Sequence, residues 1–183
     1  MTAHTPGQTI GPFFGYALPW EGGEDLVPSS HPGAIRLHGT VFDGDGQPVP
    51  DALLEIWQVD EHGLVPQAEG SLHRDGWTFT GFGRAATDGG GRYTFTTLRP
   101  GTGFISMTVF ARGLLDRLFT RVYLPGPTGE VHAAFLQSLP EDRRSTLIAR
   151  SGSDVPDGDR DTDWVFDIHL QGERETVFLD LGA

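Results

Sequence analysis

Apolar residues in this chain tend to recur at every second position, in short runs separated by glycine- and aspartate-rich breaks. Residues 35–42 alternate loosely and end in Asp43-Gly-Asp-Gly46, a strong turn signal. In residues 52–59, Leu54 and Ile56 share one face while Glu55 and Trp57 share the other. Residues 92–98 set Tyr93 and Phe95 against Thr94 and Thr96, after the turn Asp88-Gly-Gly-Gly91. Residues 104–110 and 118–124 are apolar and β-branched, and residues 164–170 and 175–181, split by Gly172, read as a closing hairpin. A period of two marks a strand with one buried face. Seven or eight such runs with no helix between them predict an all-β antiparallel sandwich.

Helical signals are confined to residues 130–149. Residues 131–136 suit a short turn of helix. Ser138 is placed to cap a second, with Pro140 near its first turn and Glu141 and Asp142 complementing its dipole. The opening stretch Thr5-Pro-Gly-Gln-Thr-Ile-Gly-Pro-Phe-Phe14 holds too many breakers for a helix or a central strand, and predicts an extended arm. Its adjacent Phe13 and Phe14 need an apolar surface to cover. No repeat or long linker divides the chain. The expectation is one domain over residues 1–183, with an arm at 1–34 and the sandwich at 35–183.

Composition narrows the function. A chain of 183 residues with 26 Gly and 13 Pro suits a turn-rich β protein with one core. A net charge of −12 argues against nucleic acid, which demands clustered Lys and Arg. The absence of cysteine removes disulfides and thiolate metal ligands. Pro6, Gly11, Pro12 and Pro19 interrupt the first twenty residues, which predicts neither a signal peptide nor a membrane span and leaves the cytoplasm as the expected compartment.

Taken alone, the chemically capable residues form no recognisable catalytic set. The seven histidines (4, 31, 38, 62, 73, 132 and 169) include no His-x-His or His-x-x-x-His pair and read as surface or turn residues. Of three tyrosines, Tyr16 lies in the arm, while Tyr93 and Tyr123 read as core. The acidic run 154–163 lacks the Gly and Glu that a calcium loop needs at its sixth and twelfth positions. Gly89-Gly-Gly91 precedes a strand rather than a helix and offers no phosphate cradle. Arg112, in Phe110-Ala-Arg-Gly113, reads by itself as a solvent-facing arginine at a strand end.

Four segments together carry a resemblance: Ala52-Leu-Leu-Glu-Ile-Trp-Gln-Val-Asp-Glu-His-Gly63, residues 82–101 with Arg99-Pro-Gly101 at their end, Phe110-Ala-Arg-Gly113, and Gly172-Glu-Arg-Glu-Thr-Val-Phe-Leu-Asp180. In this order, and from Thr5 to Leu181, the chain resembles the intradiol ring-cleavage dioxygenases. The likeness is strongest to the alpha chains of heteromeric members that act on an aromatic acid. Iron-bearing members hold Fe(III) with two tyrosinates and two histidines, hard or borderline ligands that suit the oxidised metal. At the matching positions stand Val65, the shortened Thr102-Gly103 turn, Phe104 and Ser106, and Arg121 replaces a glutamine. The resemblance therefore implies no metal ligand and no catalytic residue in this chain. It implies a partner beta subunit that holds Fe(III), cleavage of 3,4-dihydroxybenzoate by O2 to 3-carboxy-cis,cis-muconate within β-ketoadipate catabolism, and inactivity of this chain alone. It also implies that Thr9, Gly11, Pro12 and Arg112 line the partner's substrate pocket. The reading from another class is a non-catalytic, transthyretin-like β-sandwich that binds or scaffolds. The Thr9–Pro12 arm and the C-terminal block speak against that.

Overall fold

The computed structural model describes residues 11, 14–68, 74–126, 130–152 and 162–180. Among these, a short helix α1 (Phe14–Ala17) precedes six strands: β1 (Ala34–Phe42), β2 (Leu53–Trp57), β3 (Phe82–Ala86), β4 (Arg92–Leu98), β5 (Phe104–Phe110) and β6 (Leu118–Tyr123). Helices α2 (Glu130–Ser138) and α3 (Glu141–Ser145) follow, then β7 (Arg150–Ser151), β8 (Asp163–Val165) and β9 (Ile168–His169). The strands form two sheets, one ordered β4-β1-β8-β7 with β9 also paired to β1, the other β3-β2-β5-β6. The sandwich is as the alternation predicts.

The core forms where the two inner faces meet. Leu37, Val41 and Phe95 from the first sheet, with Leu54, Ile105, Met107 and Val122 from the second, are almost fully buried. Each is an inward position of an alternating strand; the burial of β5 alternates without exception. Burying side chains of this size contributes roughly 1.5–3 kcal/mol each. Tyr93 is a core residue, as expected from the sequence; Tyr123 is buried too, but on the outer face of the second sheet, against Phe104. Tyr93 donates its hydroxyl to the Phe166 carbonyl at 2.6 Å, and burial raises its phenol well above the usual range. Tight turns repeat one device. The Oδ1 atoms of Asp43, Asp60 and Asp88 each accept two backbone N–H groups of the following turn, at 2.8–2.9 Å.

Two expectations need correction. The closing hairpin does not form as a strand ladder: its arms share one backbone hydrogen bond, from the Thr176 N–H to the His169 carbonyl at 3.0 Å, and β8 and β9 each pair parallel with β1. The segment beyond Gly172 leaves to run beside β6, where the Leu179 N–H donates to the Phe119 carbonyl at 2.7 Å. The switch from β8 to β9 needs Gly39, because a Cβ there would lie 1.9 Å from the Phe166 carbonyl oxygen. Ser138 does not cap α3. It ends α2 and donates its hydroxyl to the Phe135 carbonyl, and Pro140 takes the N-cap position. The apolar surface that Phe14 needs is supplied within this chain, where it is buried; Phe13 lies outside the described residues. No described helix is long and apolar enough to cross a membrane.

Candidate functional site

The outer face of the β3-β2-β5-β6 sheet carries the positions that the resemblance singles out. Strict alternation turns Phe104, Ser106 and Thr108 of β5 outward, and in register they oppose Tyr123, Arg121 and Phe119 of β6. Trp57 of β2 opposes Ser106 on its other side. The loop at 60–64 and the turn at 101–103 come together above the start of β5. Gly101 donates its N–H to the Asp60 carbonyl at 2.9 Å, and a Cβ on Gly101 would stand 2.5 Å from the Gly63 nitrogen. Val65 follows this loop with half its surface exposed.

A cation–aromatic cluster fills this end of the face. The Arg121 guanidinium carbon lies 4.7 Å from the centre of the Phe104 ring. Its Nη1 is 3.4 Å from Nδ1 of His132 and 3.5 Å from the Tyr123 hydroxyl. His132, carried on α2, packs against Phe104 with ring centres 4.2 Å apart. Burial, then the positive charge of Arg121, pushes the His132 imidazole below its ordinary pKa and favours the neutral ring.

These residues do not fit a ferric ion. Val65 and Phe104 offer hydrocarbon, the Thr102-Gly103 turn offers no imidazole or phenolate, and a Ser106 hydroxyl is a poor ligand. The nearby imidazole faces a guanidinium, whose fixed charge repels a metal cation. Among the described residues, no three His, Cys, Asp or Glu side chains converge as a metal set. No step of ring cleavage is assigned to this chain's own residues through a metal.

Arg112 stands elsewhere. It lies in the turn after β5, six residues from Ser106 and so on the order of 20 Å from the cluster. Its Nε pairs with Oδ2 of Asp51 at 3.1 Å, and 63% of its side chain is exposed. Gly11 adopts a φ of 72°, in the left-handed region that favours glycine, with open space around a would-be Cβ. Thr9 and Pro12 lie outside the described residues. The site residues named from the sequence are thus not gathered into one pocket within this chain.

Sequence reasoning missed the companions. By sequence His132 reads as a surface or turn residue, yet it completes the cluster; His38 and His169 sit in strands, the first 3.1 Å from Asp163 and the second stacked on Phe42. Nothing in the local pattern around His132 signals this, because the contact is made across the fold. Arg84 was missed too. Its guanidinium pairs with Glu55, donates to the Leu18 carbonyl at 2.8 Å and lies over the Trp20 ring, pinning the N-terminal segment to the sheet.

Comparison with known proteins agrees with this geometry. Residues 11–108 match the family model described as Dioxygenase. The chain is 38% identical to the protocatechuate 3,4-dioxygenase alpha chain of Burkholderia cepacia, covering 97% of each, and 30% identical to the beta chain from that organism, covering 86% of this chain and 78% of the other. Among solved structures, it superposes on the dioxygenase domain of a dioxygenase carbohydrate-binding protein fusion from Streptomyces sp. SirexAA-E with a TM-score of 0.58. That pair is 28% identical, covering 92% of this chain and 98% of the other. The two-sheet sandwich, the full-length matches and the family model together make this chain a member of the intradiol ring-cleaving dioxygenases, an iron-dependent family.

Proposed function

We propose that this chain is the alpha-type, iron-free subunit of a heteromeric dioxygenase that opens the ring of 3,4-dihydroxybenzoate with O2. The product is 3-carboxy-cis,cis-muconate. The observation that carries the reading is the cation–aromatic cluster of Arg121, Phe104 and His132, which occupies the sheet face where iron-bearing relatives need tyrosinates and imidazoles. A chain whose own face rejects iron contributes to ring cleavage through a partner that holds it. A beta-type partner would hold the Fe(III), which would supply the Lewis-acid chemistry that ring opening needs. This chain supplies structure and part of the pocket wall: the Thr9–Pro12 arm, with Gly11 permitting close backbone approach, and the Arg112 guanidinium directed at the substrate carboxylate. The position of Arg112, at the opposite end of β5 from the cluster and open to solvent, suits a residue that acts across an interface.

Metal analysis and oxygen uptake on the full chain, purified alone and co-expressed with a beta-type chain, test the proposal. Alone, the chain is expected to hold no stoichiometric iron, to lack the red tyrosinate-to-iron absorption and to leave protocatechuate intact; co-assembled with the beta-type chain, the complex is expected to carry iron, to show that absorption and to consume protocatechuate with O2. A lone chain that carries stoichiometric iron and cleaves the substrate would overturn it.

A further inference from the structure

On the same outer face lies a cleft of about 200 Å3, lined by Ser106, Thr108, Phe119, Arg121 and Leu179 among others. It is smaller than the roughly 300–1,000 Å3 of drug-sized sites. At roughly 30 Å3 per water it holds six or seven waters, the space of a single substituted ring.

Charge and hydrogen bonding give this cleft a preference. Most arginines on the surface of this acidic chain face a carboxylate or a backbone carbonyl, as in the pairs of Arg36, Arg84, Arg112, Arg117, Arg143 and Arg150. Arg121 is half-buried, yet among the described residues no carboxylate lies within ion-pairing distance of it. Its contacts to Tyr123 and His132 are made by Nη1, and among the described residues Nε and Nη2, along one edge of the guanidinium, have no hydrogen-bond acceptor. That edge is the fork that binds a carboxylate through two parallel hydrogen bonds. The hydroxyl of Ser106, directly cross-strand from Arg121, and that of Thr108, one pair further along, also have no partner among the described residues. Phe119 and Leu179 add apolar walls. Burial and the charge of Arg121 favour the neutral His132 ring, which leaves Arg121 as the cation at this end of the cleft.

We infer that this cleft is a metal-free binding site for a small planar carboxylic acid, with the carboxylate on the Nε–Nη2 edge of Arg121 and the ring between Phe119 and Leu179. It is a second site, separate from the pocket to which Arg112 contributes, and it rests on this chain's residues rather than on the presence of a partner. Phosphate and sulfate match the donors but not the apolar walls, so a monocyclic aromatic acid is the occupant favoured.

Fluorine NMR of 4-fluorobenzoate titrated with the full chain is the direct test. Saturable line broadening is expected for the wild type. Binding should weaken at least tenfold in Arg121→Gln, which keeps a hydrogen-bonding side chain and removes the charge. Ser106→Phe, which fills the cleft from its floor and leaves the charge, should abolish it, and Arg36→Gln on the other sheet should leave it unchanged. 4-Fluorophenol, which lacks the carboxylate, should bind at least tenfold more weakly. Absence of saturable broadening with wild-type chain overturns the site, as does equal affinity for the phenol. So does wild-type binding by both Arg121→Gln and Ser106→Phe, each checked for folding by its melting curve. Because no partner is present, failure to co-assemble with a beta-type chain would overturn the proposed function and leave this result standing.

Discussion

Replacing Arg112 with alanine separates the two things this side chain can do. Within the chain, its Nε–Asp51 contact at 3.1 Å joins two groups that are 63% and 30% exposed. Exposed pairs of this kind contribute about 0.2–1 kcal/mol, so Arg112→Ala should cost less than ~1 kcal/mol of stability and leave assembly intact. At the proposed substrate the magnitude is larger. Asp51 engages Nε and leaves both Nη groups free, which is the terminal edge that pairs with a carboxylate in two hydrogen bonds. A charge-assisted contact in a site shielded by the interface is worth about 1.5–3 kcal/mol, and at about 1.4 kcal/mol per decade this is roughly a ten- to hundredfold change. Steady-state kinetics on the assembled heteromer should therefore show KM for protocatechuate raised by about that factor, with iron content unchanged. For catechol, which has no carboxylate, the effect should largely vanish. Arg112→Lys should recover part of the loss, keeping the charge but not the planar fork. Wild-type kinetics in Arg112→Ala, or an equal loss on both substrates, would refute the carboxylate-directed role and return Arg112 to solvent.

Two further outcomes follow from the fold. Gly39→Ala places a methyl group 1.9 Å from the Phe166 carbonyl oxygen, at the switch between two strands paired to β1; urea unfolding should show a loss of about 3 kcal/mol or more, and a loss under about 0.5 kcal/mol would contradict the close approach. His132 is held below its ordinary value of 6.5, first by burial and then by Arg121. A depressed folded value means that its contribution to stability is present above the unfolded value and lost as pH falls through the folded one. The His132 ring proton should therefore titrate by NMR below 6.5, and Arg121→Gln should move the midpoint only partway back, since burial remains. A midpoint at or above 6.5 in the wild type would remove the proposed environment.

What could be read in the sequence followed from physics that acts locally. A strand with one buried face must alternate, and the bounds expected for β4 and β5 coincide with those observed. Where order is imposed from a distance, the pattern is silent. Strand β3, Phe-Gly-Arg-Ala-Ala, has too little apolar bulk to announce itself and exists because β2 pairs with it. Strands β8 and β9, three and two residues long, are held by parallel pairing to β1, for which two-residue periodicity gives no clue. That is why the closing hairpin was expected and did not form as a strand ladder. The same division applies to the functional face. That Val65, Phe104 and Ser106 offer no strong metal ligand could be read residue by residue, because each position is judged by its own side chain. What occupies the face instead could not, because the cluster joins β5, β6 and α2 across the fold.

That replacement has a physical logic. Removing four ligands from a family iron site would leave outward polar and aromatic groups without partners, and buried or half-buried polar groups that lack partners are costly. Arg121 answers this with one side chain. Its ring contact uses the face of Phe104, its Nη1 uses the Tyr123 hydroxyl and the His132 nitrogen, and its fixed charge disfavours any cation that would compete. A neutral glutamine at the same position would satisfy hydrogen bonds but would not repel a metal. If this chain is iron-free as proposed, the arginine would make that state hard to reverse by restoring one ligand at a time. Introducing histidine at Phe104 and Ser106 together should still give no iron binding until Arg121 is also neutralised. The readout is metal content after refolding with Fe(III). Stoichiometric iron in the double histidine variant with Arg121 intact would show that ligand loss alone, and not the guanidinium, keeps this face free of metal.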